Sequence, residues 1–200
     1  MLIKRFFDLA ISFFAFLFCF PIVVLISLVI LITSGPPVIF GQKRWGKGKK
    51  VFTLYKFRTM VVGAEERKRG LMADNEAHGP VFKIYNDPRY TKFGKVLAHT
   101  GLDELPQIVN VLKGEMSLVG PRPLPVSEAK KVPKKYQLRF SVLPGITSSW
   151  IVRGSHKMSF NNWMKLDLRY IEDFSITEDI NILLSTWKLM ISWCIQKLRS

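Results

Sequence analysis

The chain has 200 residues, 30 Lys and Arg against 15 Asp and Glu for a formal charge of +15, and 48% hydrophobic residues. That length suits one ordinary domain, because two separately cored domains would each sit near the lower size limit, and the apolar content excludes a disordered chain. High charge beside high apolar content requires the two to be segregated along the sequence, a combination that points to an anionic membrane surface or anionic ligands.

The first predicted element is a membrane segment. After Lys4, Arg5 and Asp8 no charged residue occurs until Lys43, and the 24 residues from Leu9 to Ile32 are rich in Phe, Ile, Leu and Val. As a helix they measure ~36 Å, enough for a bilayer core. The run is too long for a signal-peptide core, and Thr33-Ser34-Gly35-Pro36-Pro37 lacks the small-x-small pattern of a cleavage site, so a leader is rejected. Pro21, near the middle, removes a backbone hydrogen bond. Lys4 and Arg5 precede the segment, and Lys43, Arg44, Lys47, Lys49 and Lys50 follow it, so the positive-inside preference is met at both ends only if both face the cytoplasm. A re-entrant helix broken near Pro21 satisfies this; a spanning helix with a proline kink is the alternative, and flanking charge favours the first. Gly35-Pro36-Pro37 then joins a membrane anchor, residues 1–37, to a globular part, residues 38–200.

The globular part carries nearly all the excess charge. From Lys43 to Arg58 there are seven cations and no acid, interleaved with Phe52, Leu54, Tyr55 and Phe57. Such a stretch is either a rim for anionic headgroups, at about 1 kcal/mol per cation near the surface, or a site for a phosphate-bearing substrate. Val51 to Phe57 alternates as a strand, which points Lys56 and Arg58 to one face. Glu65 to Met72 reads as a short polar helix, and Asn75 to Pro80 with Asn86-Asp87-Pro88 supply turn signals.

A compact acidic feature follows in this basic chain. Leu105, Ile108, Val109 and Leu112 recur at helical spacing, Thr100 suits a cap, and Pro106 is tolerated only in a first turn, which puts Asp103 and Glu104 at a helix N-terminus. Acids there complement the helix dipole by a few tenths to ~1 kcal/mol and need do nothing else. Yet Gly120-Pro121-Arg122-Pro123 then fixes an arginine between two prolines, and a rigid guanidinium near two carboxylates suggests phosphate recognition with a divalent metal. The last element, Ile180 to Leu198, is apolar with Trp187 and Trp193 but holds Lys188 in its interior. A lysine at mid-bilayer costs ~2.5–3.5 kcal/mol, so an interfacial or core helix is expected. The expected class is therefore α+β, a mainly helical small domain with short strands and interfacial amphipathic helices behind the anchor.

Walker, Rossmann, zinc-type and Gly-x-Ser-x-Gly motifs are absent, and His78, His99 and His156 are scattered singletons. Cys19 and Cys194, both in apolar surroundings, exclude a disulfide-built scaffold and fit a reducing compartment.

The order Lys56-Phe57-Arg58-Thr59-Met60, Asp87-Pro88-Arg89, Leu102 to Gln107, Asn110-Val111-Leu112-Lys113-Gly114, Gly120-Pro121-Arg122-Pro123 and Pro144-Gly145-Ile146-Thr147 resembles the bacterial sugar transferases, the monotopic phosphoglycosyl transferases, over nearly the whole chain. The resemblance implies transfer of a phosphosugar from a UDP-sugar to undecaprenyl phosphate at the cytoplasmic face of the bacterial inner membrane, with Mg2+ and a covalent phosphosugar-aspartate intermediate. It implies a re-entrant helix broken at a proline matching Pro21, Asp103 as nucleophile, and Glu104 as its partner in holding the metal or handling protons. Lys56, Arg58, Arg89 and Arg122 become candidates for substrate phosphate, with anionic membrane lipids as further partners and nucleic acid excluded. The motifs single out no sugar, polymer or oligomeric state.

This chain departs from the family pattern at several points. It carries Ala98 or His99 where an Arg is usual and Gly101 where a Ser is usual. Ser148 to Ser155 replace a Gly-x-Ala-Gln-Val-x-Gly-Arg pattern, with Ile151 for the Gln, Ser155 for the final Arg, and Arg153 as a candidate displaced cation. Asp167, Tyr170 and Ser175 keep the later spacing. These departures imply an active enzyme with an altered nucleotide or sugar pocket. The competing class is a membrane-tethered basic protein that holds anionic lipid or nucleic acid, which the +15 charge favours but which needs neither the acidic pair nor the proline-clamped arginine.

Overall fold

The computed structural model describes residues 2–77, 79–153 and 158–199. It is mostly helical with a few short strands. Helix α1, Leu2–Ser34, is apolar and largely uncovered, with only Asp8, Ser12, Ile26 and Ile30 buried. A hairpin follows, β1 Ile39–Trp45 and β2 Val51–Phe57, paired antiparallel with Phe40 opposite Lys56. The expected strand at 51–57 is thus present. Helix α2, Ala64–Arg67, continues as a 3-10 helix over Lys68–Asp74, covering the short polar helix expected there.

Helix α3, Lys92–Thr100, is capped by the Thr91 side chain, and a 3-10 turn at Leu102–Glu104 leads to α4, Gln107–Leu112. Thr100 was expected to cap the acidic helix, but its hydroxyl donates back to Val96 O and Leu97 O and closes α3. Gly101 makes the difference: at φ 76° it takes the left-handed conformation that ends a helix without a Cβ penalty, so the two acids stand on a separate turn before α4.

Strand β3, Ser117–Val119, pairs in parallel with β4, Gly145–Thr147, and α5, Val126–Ala129, lies between them in sequence. The chain ends in α6 Ser149–Val152, α7 Phe160–Glu172 and α8 Ile176–Arg199. Helix α8 packs on the core along one side, where Ile182 is buried and Thr186 bonds Thr147, while Ile180, Leu184, Trp187, Ile191 and Ile195 are exposed. Gly154 to Lys157, including the Ser155 departure and His156, lie outside the described residues, as does His78.

Three apolar clusters hold the fold. Phe52 and Leu54 of the hairpin meet Val111, Met116, Leu118 and Val119, while Leu124, Tyr136, Phe140, Trp150 and Trp163 form a second group. The third joins Ile26 and Ile30 of α1 to Phe57 and Leu97.

Both ends of α1 are tied to the same globular part. At the N-terminal end Lys4 Nζ lies 2.5 Å from Asp179 Oδ2, and Arg5 donates to Val111 O at 2.6 Å and Met116 O at 3.2 Å. Asp8 accepts from the Ser117 hydroxyl at 2.8 Å and from Leu118 N at 3.1 Å. At the other end Arg58 Nη2 donates to Ser34 O and Gly35 O at 2.7 and 2.6 Å. The structure differs from expectation at Pro21, which lies inside a helix that continues through it. Proline withdraws one N–H and bends a helix, but the turns on either side retain their own bonds.

Candidate active site

Asp103 and Glu104 are delivered by the 3-10 turn beside the end of β2, and Lys56 from that strand reaches both. Its Nζ is 3.3 Å from Asp103 Oδ2 and 3.2 Å from Glu104 Oε1. Arg122 completes the group, with Nη2 at 2.6 Å from the same Glu104 Oε1. The four side chains are mostly shielded, Asp103 having 9% and Arg122 27% of its side chain exposed.

Burial and charge drive the two acids apart. Burial pushes the Asp103 carboxyl up and neighbouring Glu104 adds to this, with Lys56 pulling the other way. Glu104 is pushed up by burial too, but Arg122 and then Lys56 outweigh it and hold Glu104 below the usual carboxylate range. Glu104, ionised across the neutral range, therefore anchors two cations, while Asp103 keeps a basic, poorly solvated carboxylate.

Arg122 is presented by a clamped backbone. Each carbonyl from Pro121 to Leu124 accepts a hydrogen bond: from Gly145 N, Arg139 Nη2, Arg44 Nη1 and Trp45 N, at 3.0, 2.8, 2.6 and 3.2 Å. Arg139 is in turn fixed by Asp167, with Nη2 and Nε at 2.8 and 3.1 Å from Oδ2. Gly145 is needed for this approach, since a Cβ there would stand 2.1 Å from Gly120 N. Two prolines and four carbonyl contacts leave the loop little freedom to lose on binding.

The other candidates lie elsewhere. Arg58 follows Lys56 on the same strand face, yet its Nη2 is spent on the carbonyls at the end of α1. Arg89 forms a buried fork with Asp87, Nη2 to Oδ2 at 2.6 Å and Nε to Oδ1 at 2.9 Å, and its Nη1 donates to Ala64 O, so it braces its own loop. Arg153 is exposed and stands 3.8 Å from Glu178. Among the described residues none of these three contacts the acidic pair in a hydrogen bond or ion pair.

Three contributors had no visible motif: Arg44 and Arg139, which hold the Arg122 loop, and Lys83. The Lys83 ammonium is pushed down to about 8 by partial burial and then by Arg122, and it also feels Glu104 and Lys56, which sets it in the same cationic field. Its proximity in sequence to Asp87-Pro88-Arg89 was the available signal. Tyr90 also borders the pair, its hydroxyl pushed up to about 12 by burial first and Asp103 second.

Asp103 and Glu104 are the residues here that could hold a divalent cation. Asp103 and Glu104 turn one oxygen each toward a single cationic point, the position of Lys56 Nζ. No group of three or more His, Cys, Asp or Glu side chains gathers among the described residues, but Mg2+ characteristically takes one or two carboxylates and completes its shell with water and substrate phosphate.

An apolar anchor bearing a small domain, with a carboxylate pair held among cations, defines a membrane-associated protein whose site suits phosphate-bearing ligands. The chain belongs to the bacterial sugar transferase family, whose sequence model matches residues 1–193. It is 42% identical over 192 residues to a galactosyl transferase, CpsE, of Streptococcus agalactiae, covering 96% of this chain and 42% of that protein. It is 34% identical over 193 residues to an undecaprenyl-phosphate galactose phosphotransferase of Salmonella typhimurium, covering 94% of this chain and 40% of that protein. The chain thus spans about two-fifths of the length of these relatives, whereas an uncharacterized sugar transferase of Bacillus subtilis, EpsL, is 37% identical and covered over 92% of its length.

Proposed function

We propose that the chain is a phosphoglycosyl transferase that moves a phosphosugar from a UDP-sugar to undecaprenyl phosphate. The observation that carries this reading is the convergence of Lys56 and Arg122 on adjacent, largely shielded carboxylates. Attack on a diphosphate brings anion toward anion, so cations must be in place before the reaction rather than recruited during it.

An Asp103 carboxylate oxygen bonds to the sugar-bearing phosphorus as the bond from that phosphorus to the bridging oxygen breaks, and UMP leaves with the electron pair. A phosphate oxygen of undecaprenyl phosphate then attacks the same phosphorus, and the Asp103 carboxylate is released. Lys56 and Arg122 neutralise the non-bridging oxygens, and ionised Glu104 fixes the direction of both cations. Mg2+ held by Asp103 and Glu104 would supply further neutralisation of the phosphoryl oxygens.

The helix α1 is read as re-entrant, with both ends at the cytoplasmic face of the inner membrane. The ties of Lys4, Arg5 and Asp8 at one end and of Ser34 and Gly35 at the other support this, since one domain cannot grip both ends from opposite sides of a bilayer. In Leu2→Cys with the native cysteines replaced, an impermeant external reagent on intact spheroplasts is expected to leave position 2 unlabelled; labelling there would favour a spanning helix.

UMP release tests the reaction, with a panel of UDP-sugars headed by UDP-galactose, the sugar that the relatives' names suggest. Without acceptor, intact mass analysis is expected to find a phosphosugar adduct that Asp103→Asn lacks. Product formed with sequential kinetics and no adduct would exclude the covalent route. Salt-sensitive binding of anionic vesicles or DNA without magnesium-dependent UMP release would favour the tethered basic binder.

A further inference from the structure

The candidate cation that the fold carries away from the acidic pair lines a cavity of its own. A pocket of about 450 Å³ opens where the C-terminal end of α1 meets the end of β2 and the start of α3, with Thr33, Ser34, Arg58, Val62, Lys92 and Phe93 in its wall. Arg58 is only 6% exposed, and while its Nη2 holds the Ser34 and Gly35 carbonyls, its Nε and Nη1 are buried with no hydrogen-bond partner. No carboxylate among the described residues pairs with it in a salt bridge.

A guanidinium is always charged, and burying it with two nitrogens unpaired is unfavourable unless an anion completes the set. Capping α1 accounts for Nη2 and leaves Nε and Nη1, on different sides of the guanidinium, without an acceptor, and a phosphate oxygen is an acceptor that suits either one. Lys92 adds a second positive charge, and Thr33 and Ser34 bring hydroxyls to the same wall. Val62 and Phe93 give the pocket an apolar side, and Leu31 and Ile32, which precede the wall residues Thr33 and Ser34 in α1, are 48% and 82% exposed. A site with a buried cation in its wall and exposed apolar helix beside it fits a phosphate attached to hydrocarbon better than a free ion.

We propose that this pocket binds the phosphate of a membrane lipid through Arg58 and Lys92, at a place separate from the acidic pair. The lipid then completes the seam between anchor and domain, because the group that satisfies Arg58 also touches the end of α1.

The test is lipid retention on the full chain, purified in a non-ionic detergent and measured by native mass spectrometry after addition of phosphatidylglycerol, with diacylglycerol as the phosphate-free control. One phosphatidylglycerol and no diacylglycerol is expected to remain bound. Arg58→Gln is expected to weaken retention by roughly tenfold to a hundredfold, the range for a lost charge-assisted contact. Because Arg58 also caps α1, Val62→Glu serves as the second variant: Val62 is 68% exposed, so a carboxylate there leaves the core intact while repelling phosphate. Asp103→Asn is expected to retain lipid fully, which separates this site from the transfer reaction. Polyprenyl phosphate in competition identifies the source: displacement makes the pocket a berth for the acceptor, and no displacement makes it a glycerophospholipid site. Equal binding of inorganic phosphate, or retention unchanged in both Arg58→Gln and Val62→Glu, would overturn the proposal.

Discussion

Arg122 is the residue whose removal separates chemistry from folding most cleanly. Its side chain makes one hydrogen bond among the described residues, at 2.6 Å to Glu104, while its loop is held through main-chain carbonyls by Arg139, Arg44, Gly145 N and Trp45 N. Arg122→Ala therefore leaves the loop's supports in place. The lost ion pair is about a quarter exposed on the arginine side, so its stability effect is discounted to about 1 kcal/mol or less. Loss of a preorganised contact to developing phosphoryl charge costs ~3 kcal/mol, about two orders of magnitude in rate. Arg122→Lys keeps the charge but not the planar fork, and is expected to fall between. A second signature follows from Glu104. Arg122 is the leading influence holding that carboxyl down, so in the Ala variant Glu104 titrates at a higher pH and the acid limb of the rate profile moves upward. Magnesium-dependent UMP release from pH 4 to 8, with melting curves on the same detergent-purified samples, measures both. A well-folded Arg122→Ala enzyme with near-normal turnover and an unmoved acid limb refutes this account of the site.

Asp103→Asn is expected to abolish UMP release, and Glu104→Gln to cripple it, with both proteins still folded by circular dichroism; a turnover-competent Asp103→Asn would move the nucleophile elsewhere. Asp8→Ala strands the buried Leu118 N–H and leaves the Ser117 hydroxyl with Val119 O as its acceptor, a loss of about 1–3 kcal/mol that corresponds to roughly 3–10 °C in melting temperature; no shift would detach the N-terminal turn from the core. Lys83, pushed down to about 8, loses its proton in the folded chain before its unfolded value of 10.5, so stability is expected to rise with pH between the two while KM for the UDP-sugar increases. Lys83→Arg, which stays charged, is expected to remove that increase, and an identical pH dependence in the variant would take Lys83 out of the binding field.

The elements that the sequence settles are those whose physics is local. The uncharged run from Leu9 to Ile32 is helical and apolar wherever it is placed, Val51 to Phe57 alternates as a strand must, and Asp103 and Glu104 stand next to a turn because Gly101 and Pro106 bracket them. Neighbours in sequence then part company in space. Lys56 and Arg58 share a strand face, but β2 ends between them: Lys56 reaches the acids, whereas the chain at Arg58 pairs with Val38 and turns toward the end of α1. Arg89 carries its own carboxylate two positions away in Asp87, and that near partner captures it. Conversely, Arg139 holds Arg122 from 17 positions downstream, and Lys4 meets Asp179 from 175 positions away. Periodicity and turn chemistry record what a residue does with its neighbours a few positions along. Which distant cation meets which carboxylate is decided by the packing of whole elements, here the burial of Phe57, Leu97, Ile26 and Ile30 against one another, and that packing exists only in the folded chain.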